Sequence, residues 1–291
     1  MSKSAVRTKA DPGLFMWAGG KGKMLRHYAP LLPADVARRS CVEPFAGGAA
    51  LFNHLSTDRT ISATLSDINA ELMDLYRLVR DDPEFLISEC LPLERAWMDL
   101  DIAARKALYY RLRAEYWAMP EGPGATARLF FLMKTAFNGI WQTCRASGGR
   151  FGTPVGLATQ KARVFEPETV RLWARKMSGA ALLTGNFEDV PVPDGAFVFC
   201  DPPYRDSFTS YGTAFDDARQ IALIAWCREV HAATGSVVWL SNRDAGDGFF
   251  ERHAPEARLH RFPVTYTAGR RKRVADGFAA KTATELLVVW S

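Results

Sequence analysis

An acid, two prolines and an aromatic ring follow directly on a short apolar strand at Asp201-Pro202-Pro203-Tyr204, a set suited to holding a planar amine. The strand, Ala196 to Cys200, ends at the carboxyl edge of its sheet, where ligand chemistry occurs in open α/β folds. Each proline fixes its own φ and lacks an N–H, so the Asp201 carboxylate and the Pro202 carbonyl become a fixed pair of acceptors beside the Tyr204 ring. A strand merely ending in a proline turn would explain the prolines but not the flanking acid and tyrosine. A second constellation lies earlier: Cys41-Val42-Glu43-Pro44-Phe45 runs into Ala46-Gly47-Gly48-Ala49-Ala50 and a helix through Leu55. Strand, glycine turn and helix N-terminus let backbone approach a nucleotide-like ligand, although the run is not GxGxxG. Ser66-Asp67-Ile68-Asn69, at the end of the next strand, puts a carboxylate where such folds grip ribose hydroxyls. Taken alone, the pair also reads as a glycine turn and a helix-capping Asp.

The elements that must position these residues are short strands expected at Ser40–Phe45, Thr60–Leu65, Ala180–Thr184, Ala196–Cys200, Ser236–Leu240 and Glu285–Trp290. Between the second and third, helical spacing recurs at Glu71–Arg80, Pro83–Trp97, Ile102–Met119, Ala125–Phe137 and Glu166–Met177. The expected fold class is therefore α/β, with a core built from residues 1–80 and 180–291 and a mostly helical lobe inserted at 81–179. Pro120–Gly124 and the Gly-rich, basic Ser147–Gly156 read as loops. The run Ala257–Ala275 carries Arg258, Arg261, Arg270, Arg271, Lys272 and Arg273 without an acid, and is expected to be a loop. It would supply phosphate contacts or form a solvated basic hairpin.

The chain has 291 residues, 48% hydrophobic and 24% charged, which excludes disorder as its main state. Its longest clean apolar run, Ile221–Cys227, is far short of the roughly 18 residues of a membrane span. Met1–Gly13 has no apolar segment of the secretory kind, so an intracellular protein is expected. Five cysteines without a CxxC pair and five histidines without ligand spacing favour reduced thiols and no metal centre. The excess of 37 Lys and Arg over 32 Asp and Glu suits a polyanionic partner.

Trp17-Ala18-Gly19-Gly20-Lys21, Glu43-Pro44-Phe45-Ala46-Gly47-Gly48, Ser66-Asp67-Ile68-Asn69, Phe137-Asn138-Gly139 and Asp201-Pro202-Pro203-Tyr204 stand in the order of the Dam-like DNA adenine methylase family. The chain resembles these S-adenosylmethionine-dependent N6-adenine DNA methyltransferases from about Phe15 to Trp290, including Ser241-Asn242-Arg243-Asp244. The resemblance implies a Rossmann-like S-adenosylmethionine-dependent methyltransferase core with an inserted target-recognition lobe. It implies catalytic roles for Asp201, Pro202, Pro203 and Tyr204 on an adenine flipped out of double-stranded DNA. Cofactor contacts are implied for Trp17, Ala18, Lys21, Glu43, Phe45, Gly47, Asp67, Asn186, Phe187 and Asp201. DNA contacts fall to Asn138, Gln142, Arg145 and Arg150 in the lobe, joined by the basic residues Arg270, Arg271, Lys272 and Arg273. No metal and no membrane partner is expected, the state is monomer or weak dimer, and the setting is the cytoplasm of a bacterial or phage-infected cell.

Two positions depart from the GATC-recognising members. Gln142 stands where they carry an arginine, and Met16 where they carry a lysine before the tryptophan. Arginine reads guanine bidentately whereas glutamine prefers adenine edges, so a target other than GATC is expected. Competing readings are a cytosine-N4 methyltransferase, which more often has Ser at the position of Asp201, and a noncatalytic DNA-binding protein on the same scaffold. An Asn-Pro-Pro-Tyr enzyme acting on protein or RNA and a nicotinamide oxidoreductase fit the motifs less well.

Overall fold

The computed structural model describes residues 11–57, 59–156, 163–205, 215–266, 272–274, 277–279 and 281–291. Its strands are β1 Cys41–Glu43, β2 Ala63–Asp67, β3 Thr143–Cys144, β4 Arg150–Phe151, β5 Ala180–Thr184, β6 Phe197–Cys200, β7 Val237–Asp244, β8 Arg258–Tyr266, β9 Lys272–Val274, β10 Gly277–Ala279 and β11 Lys281–Trp290. Its helices are α1 Leu25–Tyr28, α2 Ala50–Leu55, α3 Ala70–Asp81, α4 Pro83–Asp99, α5 Ile102–Ala118, α6 Pro123–Thr135, α7 Pro167–Met177, α8 Asp217–Thr234 and α9 Phe249–His253. They fall into two compact units, the first comprising residues to Leu25, Gly47–Ala63 and Ala70–Leu182, the second Arg26–Ala46, Thr64–Asn69 and Leu183–Ser291.

The sheet of the second unit has the order β5-β2-β1-β6-β7-β11-β8. β1 pairs parallel with β6, and β6 parallel with β7, while β11 runs antiparallel to both β7 and β8. Strand order reverses between β1 and β6, which makes their carboxyl ends the switch point where α/β sheets open a crevice. The register Val42↔Val198, continued along the strands, brings the residues after Pro44 level with those after Cys200. Phe197-Val198-Phe199-Cys200 is buried at every position because both faces are covered. Val198 and Cys200 pack with Leu223, Ile224 and Cys227 of α8, while Phe197 and Phe199 meet Trp239 and Tyr28 respectively.

In the first unit, Asp82 and Asp101 cap α4 and α5, accepting from the N–H groups of Phe85 and Ala104 at 3.0 and 2.8 Å. Trp97 of α4 packs edge-on against Phe131 of α6, and Tyr76 of α3 stacks on Trp173 of α7. A two-stranded ribbon, β3 with β4, rests on α5: Tyr109, Arg113 and Trp117 donate to the carbonyls of Thr153, Gly152 and Phe151.

The five expected helices all form, as do the six strands. The run Ala257–Ala275 is not the loop expected of it: Arg258–Tyr266 is strand β8 at the sheet edge, and Lys272–Val274 pairs with Gly277–Ala279. α8 is an element that the apolar run Ile221–Cys227 did not announce.

Candidate active site

Asp201 is half-buried at the end of β6, and its Oδ1 accepts the Ser241 hydroxyl at 2.6 Å. Ser241 is fully buried on the neighbouring strand β7, so the bond holds the carboxylate from inside the sheet. The rest of the turn is braced from the same strand and from α8. Gln220 donates to the Pro203 carbonyl at 2.8 Å and accepts from Asn242 at 3.0 Å, while the Asn242 Oδ1 accepts the Arg205 N–H at 3.3 Å. Tyr204 donates its hydroxyl to Glu285 of β11 at 2.5 Å, and the Arg243 guanidinium lies 5.7 Å from its ring centroid. Burial first, then the carboxylates of Asp201 and Glu285, push the Tyr204 phenol well above its ordinary value, so it remains a neutral donor.

Cys200 stands next to Asp201 but has no chemistry open to it. Burial holds its thiol well above the usual value, and its Sγ sits 3.9 Å from that of Cys227. Reduced thiols hold for all five cysteines, which are free.

The other expected ligand residues of the second unit gather at the neighbouring strand ends. Glu43 is buried on β1, and Phe45 beyond it stacks on Phe187 with centroids 5.5 Å apart. The Arg219 guanidinium covers Phe187 at 4.9 Å and also donates to the Asn186 side-chain oxygen at 2.9 Å. At the end of β2, Asp67 accepts the Asn69 N–H at 3.0 Å, and its own carbonyl accepts the Gly185 N–H at 3.1 Å. Ile68 beside it is 61% exposed, an apolar side chain left at a strand end. Carboxylate, stacked rings and an amide together match the parts of a nucleoside: ribose hydroxyls, a purine face and a purine edge.

In the first unit Trp17 packs on the glycine turn. Gly47 has φ +45°, and a Cβ there would stand 2.8 Å from the Trp17 Nε1, so no side chain fits. Tyr76 donates to the Gly47 carbonyl at 2.7 Å. Lys21 is buried with its ammonium on the Gly19 carbonyl at 2.9 Å, and exposed Ala18 donates its N–H to the Gly139 carbonyl at 2.9 Å. Asn138 is exposed in the left-handed region at φ 53°, which Asn tolerates better than most residues. Gln142 and Arg145 are exposed along the β3 edge and the following turn. Arg150 differs from them: it is half-buried and shares a cavity of about 200 Å³ with Glu71 and Tyr116. Arg270 and Arg271 lie outside the described residues, and Lys272 and Arg273 are described only as backbone of β9.

Residues 17–260 match the profile of the D12 class N6 adenine-specific DNA methyltransferases. The chain belongs to this family. A relative from Methanocaldococcus jannaschii, the type II methyltransferase M.MjaIII, is 32% identical over 241 residues, 78% of this chain and 82% of its own. The retron Ec67 DNA adenine methylase of Escherichia coli is 28% identical over 282 residues, 95% and 90% of the two chains. The DNA adenine methylase of Haemophilus influenzae is 29% identical over 253 residues, 83% of each. This D12-class chain thus uses S-adenosylmethionine and acts on DNA adenine, and its sheet is the Rossmann-like methyltransferase sheet. The oxidoreductase and cytosine-N4 readings fall with that membership. Gln220 and Glu285 are supporting residues that motif reading did not single out, while Ser241 and Asn242 stood in a motif that carried the resemblance without a role assigned to them. The one available signal was polar type at strand positions surrounded by apolar neighbours, as in Glu285-Leu286-Leu287-Val288.

Arg205, which follows Tyr204, ties the turn of this D12-class chain to α8 and to the segment leading into α9. Its guanidinium bridges Asp217 at 2.7 Å and Asp247 at 3.0 Å and lies 3.9 Å over Phe249. The hydrogen bonds from Arg205 lower both aspartate pKa values. Their contribution to stability is therefore complete above the unfolded value near pH 4 and lost as pH falls through the depressed folded values. Arg205→Met should lower Tm at pH 7, by a modest amount because both aspartates are largely exposed to solvent. The ionic part of the gap between mutant and wild type should narrow progressively as pH falls below about 4. Thermal melts across pH 2 to 7 check this, and a gap independent of pH would show that Arg205 acts through packing alone.

Proposed function

We propose that this chain is a site-specific methyltransferase that modifies the 6-amino nitrogen of an adenine extruded from double-stranded DNA. The observation carrying the reading is the Asp201 carboxylate, fixed by Ser241 at the end of β6 and followed by the rigid prolines and the braced Tyr204. Adenine's exocyclic nitrogen is a poor nucleophile because its lone pair is delocalised into the ring, and inside a duplex it is paired and out of reach. Asp201 and the Pro202 carbonyl accept the two amino hydrogens, which shifts electron density onto nitrogen and fixes its direction. Tyr204 offers its ring face to the base, while Pro203 holds the turn rigid. The Asp201 carboxylate also offers an acceptor for the proton that nitrogen sheds. When bound, S-adenosylmethionine supplies an electrophilic methyl group on a sulfonium. Rate enhancement comes from positioning and preorganised acceptors, without a covalent protein intermediate.

Glu43, Phe45, Asp67, Asn186 and Phe187 are proposed to hold the cofactor, with Asp67 on the ribose and the aromatic residues beside the purine. Trp17, Ala18, Lys21 and Gly47 are proposed as further cofactor residues on their sequence motifs. Residues 81–179 are proposed to carry target recognition, with exposed Asn138, Gln142 and Arg145 as readers. Arg150, set against Glu71 and Tyr116, is better placed to support the β3–β4 ribbon than to reach a base. A monomer or weak dimer suffices for the assembly.

The test is incubation with S-adenosylmethionine and mixed-sequence duplex DNA, followed by single-molecule mapping of modified bases. N6-methyladenine at a defined sequence is expected. Because Gln142 and Met16 replace the arginine and lysine of GATC-recognising members, the modified sites should not be confined to GATC. A GATC-only pattern would mean that other residues of the lobe read guanine. Modification of cytosine, or of nothing, would overturn the reading.

A further inference from the structure

Glu285 is a carboxylate on β11, 4% exposed and followed by five apolar residues through Trp290. A buried acid is costly unless it is paired and hydrogen-bonded, and this one meets the Tyr204 hydroxyl. Its cross-strand partners are Arg243 on β7 and Phe262 on β8. Directly opposed residues of antiparallel strands share a face, so Arg243, Glu285 and Phe262 form one row. Ser241, two residues before Arg243, lies on that same face and holds Asp201. One face of the β7–β11 pair therefore supports both the acid and the ring of the Asp201–Tyr204 turn.

We propose that Glu285 is a positioning residue for methyl transfer, fixing the plane of the Tyr204 ring so that its face, rather than its hydroxyl, is presented to the target base. The inference rests on the catalytic reading of Asp201 and Tyr204 given above. A carboxylate acceptor makes the phenol hydrogen bond charge-assisted, hence shorter and stronger than a bond to a neutral oxygen. Arg243, with its guanidinium 5.7 Å from the ring centroid and opposite Glu285 in register, places a cation beside the same ring. The hydroxyl is then occupied, and Tyr204 acts on the base only through its π face.

Glu285→Gln, Tyr204→Phe and the double variant test the assignment. Removing the bond in Tyr204→Phe should lower kcat on the order of 10-fold or more by misplacing the ring, as small misplacements do in positioned sites, and Glu285→Gln, which leaves only a weaker bond to a neutral amide oxygen, should lower it in the same direction. KM for DNA and S-adenosylmethionine affinity should stay within about twofold, since the loss falls in the transition state. Glu285→Gln should lose no more than Tyr204→Phe, and the double variant should be no slower than the slower single variant. Duplex DNA with 2-aminopurine at the target position gives an independent readout, because ring stacking quenches its fluorescence; both single variants should quench less. Losses that multiply in the double variant, or wild-type kcat and quenching in Glu285→Gln, would overturn the proposal. Should Glu285→Gln fail to fold, wild-type kcat and quenching in Tyr204→Phe would overturn it as well. A wild-type protein that modifies no adenine would sink the underlying reading instead, whereas an inactive Asp201→Ala beside a fully active Glu285→Gln would sink the Glu285 assignment alone.

Discussion

Asp201→Ala is expected to lower methyl transfer to DNA adenine by more than about 100-fold, the scale on which removal of one preorganised polar group acts in other enzymes. The carboxylate accepts the Ser241 hydroxyl at 2.6 Å, so its position is set before any substrate arrives. Alanine deletes that acceptor, and no neighbour on β6 can replace it, because the chain continues through Pro202 and Pro203. Cofactor affinity should change little, since Asp67 and the Phe45–Phe187 pair belong to other strand ends. Single-turnover transfer of a labelled methyl group, with cofactor binding measured separately by calorimetry, checks both halves. Transfer near the wild-type rate would remove Asp201 from the mechanism.

Replacing Arg270, Arg271, Lys272 and Arg273 together with glutamine should weaken binding about equally for target and non-target duplexes. Each phosphate contact contributes about 0.9 to the log–log salt slope, so the slope should fall by roughly 3 to 4 if all four engage. Arg261, in the same basic run, is a contrast: it is tied to Asp244 at 2.6 Å and to Glu251. Its replacement should leave the slope unchanged. Fluorescence anisotropy at several salt concentrations separates the cases. An unchanged slope in the quadruple variant would assign the cluster to solvent, and a loss confined to target DNA would make it a base reader.

The motifs were legible because each packs several demands into consecutive residues. Strand, acid and paired prolines at Phe197–Tyr204 have few alternative explanations, and Gly47 is dictated by a single tryptophan above it. Strand β8 was not legible. Its residues RLHRFPVTY mix charges with a proline, which argues against an interior strand yet is tolerated at the edge position that β8 occupies. The supporting polar groups were hidden for a different reason. Ser241 is 40 residues from Asp201 and Glu285 is 81 from Tyr204 along the chain, and only the β6–β7 and β7–β11 registers bring them to the turn. Sequence shows what a turn could do; which side chains brace it depends on strand pairing.

The Asn138-Gly139 turn also bears on how such a protein could change its target over generations. At Gly139, φ is +62° and a Cβ would fall 2.5 Å from the Met16 carbonyl, while the Gly139 carbonyl accepts the Ala18 N–H. That position is closed to substitution, since any side chain would displace the tryptophan-bearing segment along with it. Asn138 before it is exposed but also sits at positive φ, 53°, which few residue types tolerate, whereas exposed Gln142 beyond the turn carries no such backbone constraint. On the proposed role of Gln142 as a reader, new sequence preferences would arise by exchange there, around an immovable hinge pin and with the shared machinery of the enzyme untouched.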